Sequence, residues 1–198
     1  MKLKFNFKSG GMKENCGTKC LKAVLNYYGR NDYKTSKISS KFNFWITDLG
    51  INAIKLGFEP IIYTYSHTIF EPQWLHLPQA KFLEKLNRNS QKNKILKQAR
   101  KSVADFIKLG GKFKREVITI KNLKSYLKRK KPVILAVNSS VIHRESRFSS
   151  GHYIILIGYR KNDFIILNPG RKTFKEEVIN QNLILYSLYQ WGGWALIL

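Results

Sequence analysis

An α+β fold, with a helical N-terminal part packed on a C-terminal antiparallel β-sheet, is predicted from three observations. Apolar residues recur at helical spacing through the first third of the chain. They do so again through a basic middle part. The last third instead carries short, continuous apolar runs separated by turn residues. Helices first and strands second is the order expected of an α+β arrangement. At 198 residues the chain is the size of one domain, and the whole of 1–198 is read as a single unit.

Each element has a local signal. The first helix begins at Asn15-Cys16-Gly17-Thr18, places Leu21, Val24, Leu25 and Tyr28 at helical spacing, and meets Gly29 as a C-cap. A second helix is predicted over 47–56, with Leu49, Ile51, Ile54 and Leu56 apolar and Gly57 ending it. Residues 60–65 follow as a short strand. In the middle part Ile95, Leu96, Ala99, Val103, Phe106 and Ile107 form one apolar stripe that Gly110-Gly111 stops. A short helix is expected over 120–127. Strands are expected over 132–137, 152–159, 163–168 and 194–198, with a tight hairpin turn at Lys161-Asn162 or Asn162-Asp163.

Composition narrows the class. Hydrophobic residues make up 43% and aromatic residues 13%, well outside the disordered range. No apolar run reaches the roughly 18 residues of a transmembrane helix. The N-terminus alternates apolar and basic residues without the apolar stretch of a signal peptide, so a cytoplasmic location is expected. Lys and Arg number 36 against 12 Asp and Glu, a formal charge of +24, and residues 79–131 hold 18 of the bases with 3 of the acids. That segment reads as a solvated, lysine-coated helical face. Its alternative is a surface for weak binding to a polyanion. Nucleic-acid binding as the main role rests on charge alone, since no phosphate-cradling glycine loop or nucleic-acid motif accompanies it.

The chemistry-bearing residues are few. Cys16 and Cys20 lie four apart, so on one helix their Cβ atoms stand about 6 Å apart, too far for an unstrained disulfide. A nucleophile, a metal-ligand pair and core packing remain open for them. The metal reading lacks a second ligand pair at zinc-site spacing, and no cofactor is assigned. Among His67, His76, His143 and His152, the last stands out: Gly151 precedes it and a long apolar strand follows. His67 and His76 fall in a loop with Pro72 and Pro78 and are read as surface residues; His143, close before Gly151, is read as part of a solvated loop, with contact to substrate as the other option. In a hairpin closed near residue 161, residues 152 and 168 share the open end, which brings the Asn168 amide toward the His152 ring. Cys16 sits at a helix N-terminus, where the dipole and free N–H groups favour a thiolate. Cysteine, histidine and asparagine in that order form a cysteine-hydrolase constellation of the papain type.

Longer words carry a resemblance. Asn15-Cys16-Gly17-Thr18 running to Leu25-Asn26-Tyr27-Tyr28-Gly29 resembles the nucleophile helix of the bacteriocin (double-glycine leader) peptidase-like family within the papain-like cysteine peptidase superfamily. Gly151-His152-Tyr153-Ile154-Ile155-Leu156-Ile157-Gly158-Tyr159, followed by Leu167-Asn168-Pro169, is similar to that family's histidine strand and its Asp-Pro word. Trp45-Ile46-Thr47-Asp48-Leu49 through Leu56-Gly57-Phe58 resembles a stretch of relatives described as guanylyl-cyclase-domain proteins. The likeness covers residues 10–65 and 130–198, leaving 79–131 as an insertion or divergent region.

The resemblance implies a papain-like fold and a thioester route for hydrolysis of a peptide or isopeptide bond in a peptide or protein substrate. Cleavage after small residues such as Gly-Gly goes with it. It assigns Cys16 as nucleophile, His152 as general base and Asn168 as the residue orienting it. Asn168 stands where most relatives have Asp. Relatives also place an oxyanion-donating Gln about six residues before the cysteine, and residues 10–15 contain none. The Cys16 backbone N–H remains as one donor, with Asn15 or Lys13 as candidates for a second. Loss of one such donor costs about 100- to 1,000-fold in rate. The alternative is therefore a catalytically weak or inactive member that serves as a binding module for an anionic partner. Trp191-Gly192-Gly193-Trp194 is read as packing under the last strand, with lining of a substrate groove as the other option.

Overall fold

The computed structural model describes residues 1–5, 15–30, 45–88, 93–143, 150–170 and 173–198. Among them, helix α1 is Cys16–Tyr27, α2 Ile46–Lys55, α3 Gln79–Asn87, α4 Lys94–Lys108, α5 Ile120–Lys128, α6 Ser139–His143 and α7 Gln181–Gln190. The strands are β1 Ile61–Tyr63, β2 Lys112–Lys114, β3 Val133–Asn138, β4 Gly151–Arg160, β5 Asp163–Pro169, β6 Phe174–Asn180 and β7 Ala195–Ile197. The fold is α+β, built on one seven-stranded sheet in the order β2-β1-β7-β3-β4-β5-β6. Among the described residues, no helix is long and apolar enough to cross a membrane.

The sheet is mixed, where an antiparallel one is predicted. β1 and β2 pair in parallel, because the chain between them crosses over through α3 and α4 rather than turning tightly. Every other pairing is antiparallel. The β4–β5 hairpin closes on Lys161-Asn162, with Arg160 opposite Asp163 and Lys161 in the left-handed region at φ 44. That is the geometry a two-residue turn between right-twisted strands requires.

Five elements lie outside the sequence expectation, among them α3, which has no bounds of its own in the reading of the basic middle part, and α6, which puts His143 at a helix end rather than in a loop. β2 is Lys-Phe-Lys, with a single apolar residue to announce it. β6 carries Lys175-Glu176-Glu177 and joins the sheet through β5 alone. α7 has its apolar residues spread around the helix, with little of the one-sided pattern that marks a surface helix.

β3 is buried at every position and lies at the centre of the sheet order. α7 packs on β3, and α1 packs on β4 and β5. α2 bridges α1 and α4, and α5 covers β4 and β3. The Leu-x-Tyr-Tyr-Gly word at the end of α1 is a set of anchors. Tyr27 donates to the Lys130 carbonyl at 3.1 Å and stacks on Phe5, while Tyr28 donates to the carbonyl of Leu198 at 3.2 Å. The Trp45–Leu49 word builds the start of α2. Asp48 accepts from the Trp45 backbone N–H at 3.1 Å and from the Ser102 hydroxyl, and Ser102 bonds Thr47 at 2.6 Å, tying α2 to α4. Burial raises the Asp48 carboxyl above its ordinary value, and those hydrogen bonds oppose the shift.

The apolar stripe of α4 is buried at Ala99, Val103, Phe106 and Ile107, with Leu96 packed against the core. Ile95 departs from it and is 53% exposed. The helix begins at Lys94, where Asn93 caps the backbone N–H groups of Ile95 and Leu96, so Ile95 stands at the rim rather than under the sheet.

Candidate functional site

Cys16 is the first residue of α1. Asn15 caps that helix by accepting from the Thr18 backbone N–H at 2.8 Å, which leaves the first backbone N–H groups directed past Cys16. Gly17 brings this helix end against β4: a Cβ there would stand 3.0 Å from the Tyr153 ring. The helix is held from the other side by Lys19, whose Nζ donates to the carbonyl of Gly170 at 2.9 Å. α1 is thus clamped to the segment that follows Asn168. Cys16 is half-buried and Cys20 fully buried. Burial pushes the Cys20 thiol well above its usual range, with Cys16 adding to that and Lys19 opposing it. A protonated, inaccessible thiol is a packing group.

His152 lies one residue into β4, and Asn168 near the end of β5. The β4–β5 register sets Ile155 opposite Leu167, so residues 152 and 168 are diagonal neighbours on one face. Their side chains meet: His152 Nε2 and Asn168 Oδ1 are 2.8 Å apart. The far half of the same amide donates to Glu177 Oε1 on β6, Nδ2 to oxygen 3.1 Å. Since Ile166 pairs with Glu177 and Asn168 with Lys175, Glu177 is again the diagonal neighbour. A row of three polar side chains therefore crosses β4, β5 and β6. A carbonyl oxygen can only accept, so Nε2 carries the proton and Nδ1 holds the lone pair. Burial pulls the imidazole below its ordinary value; the Asn168 hydrogen bond and then the Glu177 charge push it back up.

At the His152 end of this row lie two adjoining cavities that share Trp45, Ala136, Tyr153 and Trp191. The smaller, about 230 Å³, includes His152, Gly151 and Ile95. The larger, about 310 Å³, reaches Leu96, Val103 and Trp194, with Ser66, His67 and Thr68 as polar lining. The Trp191 ring sits against Gly151, where a Cβ would come within 2.6 Å of it. The indole N–H of Trp45 is buried and, among the described residues, has no hydrogen-bond partner.

The sequence-predicted residues divide as follows. His152 and Asn168 are in contact, and Cys16 lies at the helix end packed on the residue after His152. The carboxamide oxygen of Asn15 is committed to its cap, leaving its NH₂ as the half able to donate. Lys13 lies outside the described residues. His76 and His67 are exposed as expected, yet His67 also lines the larger cavity. His143 ends α6, exposed, with its ring centroid 5.9 Å from that of His152. Trp194 is buried and Trp191 is 38% exposed, and both line the larger cavity. Among the described residues, no group of three His, Cys, Asp or Glu gathers that could hold a metal ion.

The sequence marks none of three further contributors as a site residue: Glu177 carries no motif, Trp45 belongs to the Trp45–Leu49 word of the resemblance, and Ile95 to the apolar stripe of the basic middle part. Only the strand registers and helix packing bring them to one place.

The sequence profile of the Peptidase_C39 like family matches residues 6–189. One solved structure, of a candidate C39-like peptidase from Bacillus anthracis, aligns over 40% of this chain and 46% of that one. The identity is 15% and the TM-score 0.32. The match thus spans under half of that protein's chain, and a likeness so loose carries no argument. No curated protein matches.

Proposed function

The chain belongs to the Peptidase_C39 like family, and from that premise we propose that it is a cysteine peptidase acting through Cys16, His152 and Asn168. The observation that supports this reading best is the 2.8 Å contact between His152 Nε2 and Asn168 Oδ1, beside the end of α1 that begins with Cys16. With its proton held on Nε2, the ring offers Nδ1 as the base. Cys16 gives its proton to Nδ1, and the thiolate attacks the scissile carbonyl. The oxyanion forms against the Cys16 backbone N–H, with the Asn15 amide or Lys13 as the second donor. His152 returns the proton to the leaving amine, and a thioester remains on Cys16. Water, deprotonated by His152, attacks the thioester; the C–S bond breaks, the acid leaves, and His152 returns the proton to the Cys16 sulfur.

The adjoining cavities supply room for a peptide beside His152, with Trp45, Trp191 and Ile95 as apolar walls. Cleavage after small residues such as Gly-Gly is part of the proposal.

Alkylation with iodoacetamide tests it. Cys16 is expected to react fast near neutral pH, Cys20 slowly, and His152→Ala to remove the difference. Equal rates in wild type and His152→Ala would sink the reading.

A second reading is a weakly active or inactive member that binds an anionic partner. It is favoured by Lys94, Lys97 and Lys108, which stand exposed on α4. Titration against a nonspecific duplex at two salt concentrations decides it: a polyanion surface binds at low salt and loses affinity steeply as salt rises. No binding at low salt leaves the lysines as a solvated coat.

A further inference from the structure

We propose that Glu177 is a positioning residue for His152, acting through Asn168: it holds the amide oxygen toward Nε2 and supplies the negative charge that a neutral amide lacks. The proposal takes its chemical meaning from the cysteine-peptidase reading; its geometry does not depend on that reading.

An asparagine can present either half of its amide. With the NH₂ turned toward the ring, Nε2 would have to accept, the proton would move to Nδ1, and no base would face outward from the strand row. A carboxylate next to the amide settles the choice, because an ionised carboxylate only accepts and so selects the NH₂ half. Glu177 does this at 3.1 Å, leaving Oδ1 for the ring at 2.8 Å. The orientation of His152 is therefore decided two strands away.

The same contact carries charge. Asn168 is 5% exposed, and the Glu177 side chain 20%, so the field between carboxylate and ring is poorly screened. Lys175 is the competing partner of Glu177, at 4.0 Å and with its side chain 79% exposed, a loose pair at the surface. Among the described residues, the titratable and charged groups around the ring are Cys16 and Lys19 from α1, His143 from α6, Tyr153 on its own strand, and Lys175 and Glu177 from β6. Glu177 is the one carboxylate in that set. It offsets part of the burial that disfavours the imidazolium. The imidazolium formed when Cys16 gives up its proton is thus stabilised by a charge acting across the amide, with no proton passing to Glu177.

Two substitutions separate the roles. Glu177→Gln keeps an acceptor for the Asn168 NH₂ and removes the charge, whereas Glu177→Ala removes both. Nitrogen-15 imidazole spectra of the intact protein read tautomer and titration of His152 directly. Glu177→Gln is expected to keep the Nε2–H tautomer and move the His152 titration down by about half a pH unit or more. Glu177→Ala is expected to add a population of the Nδ1–H tautomer. Asn168→Asp alone sets two carboxylates side by side, where one retains a proton. Asn168→Asp with Glu177→Gln restores a single charge, now in direct contact with the ring, and is expected to return the titration to wild type or above. Rates of Cys16 alkylation near neutral pH should follow the same order.

An unchanged tautomer and titration in both Glu177 variants would overturn the proposal. If instead the imidazole spectra respond as expected while His152→Ala leaves Cys16 alkylation at its wild-type rate, the peptidase reading fails and the Glu177 geometry stands.

Discussion

The β4–β5–β6 corner and the basic helical middle of the chain spend their polar residues in opposite ways. Asn168 lies buried in β5, and each end of its amide has a partner: His152 on one side and Glu177 on the other. Along α4, Lys94, Lys97 and Lys108 point to solvent while Val103 and Phe106 fill the core. Two arginines of the middle behave like the corner instead. Arg100 is 7% exposed, donates to the Ile69 carbonyl at 2.9 Å and lies 4.7 Å over the Trp74 ring. Arg115 donates to the carbonyls of Trp74 and Leu77 at 2.8 and 2.7 Å and covers Phe82. The two guanidiniums pin the 69–77 segment, whose Ile69 forms part of the larger cavity wall. Charge density is therefore a poor guide to role in this protein. A polar group that is buried and partnered has a job in the architecture, whereas an exposed lysine has only its hydration to account for it.

The comparison can be broken most sharply at Cys16. Cys16→Ala is expected to lower peptide hydrolysis by about 10,000-fold or more with an unchanged circular dichroism spectrum. Cys20→Ala, on the same helix, should leave activity within a few-fold and cost about 1 kcal/mol of stability in urea unfolding. Equal losses from the two would mean that the helix end has no special chemistry. At the polar row, Asn168→Ala is expected to lower kcat by about 100-fold with KM little changed, because the ring loses its orientation rather than the substrate its site. A rise in KM alone would place Asn168 in substrate binding.

In the middle, Arg100→Ala should cost about 2 kcal/mol in urea unfolding, since the Ile69 carbonyl loses its donor and Trp74 its cover. Lys97→Ala, three residues earlier and exposed, should fall within about 0.5 kcal/mol of wild type. Matching costs would erase the distinction between the two kinds of base. The smallest effect is expected for Lys94→Gln, Lys97→Gln and Lys108→Gln combined, with peptide hydrolysis changed by less than about two-fold. A larger fall would make the coat part of substrate capture.

Local signals located most elements to within a residue. α2 is predicted over 47–56 and runs Ile46–Lys55; β4 is predicted over 152–159 and runs Gly151–Arg160. Caps, glycine stops and continuous apolar runs act on their own neighbours, so they are legible without knowing the partner. β2, β6, α3, α6 and α7 were not legible, because each is stabilised by what it packs against. The three residues of β2 extend the sheet edge beside β1. β6 is charged along part of its length because only one side of it meets another strand.

The residues of the proposed triad and their local stations could be read from the chain alone: Cys16 at the start of a capped helix, His152 at the head of an apolar strand, and Asn168 across a two-residue hairpin. These follow from hydrogen bonding and turn geometry over a few residues. Tertiary structure alone decided that β1 and β2 run parallel, that Ile95 leaves the core for the cavity rim, and that Glu177 stands behind Asn168. Those outcomes depend on strand register and on chain crossovers, and a shift of one residue in register would carry Glu177 to the opposite face of the sheet.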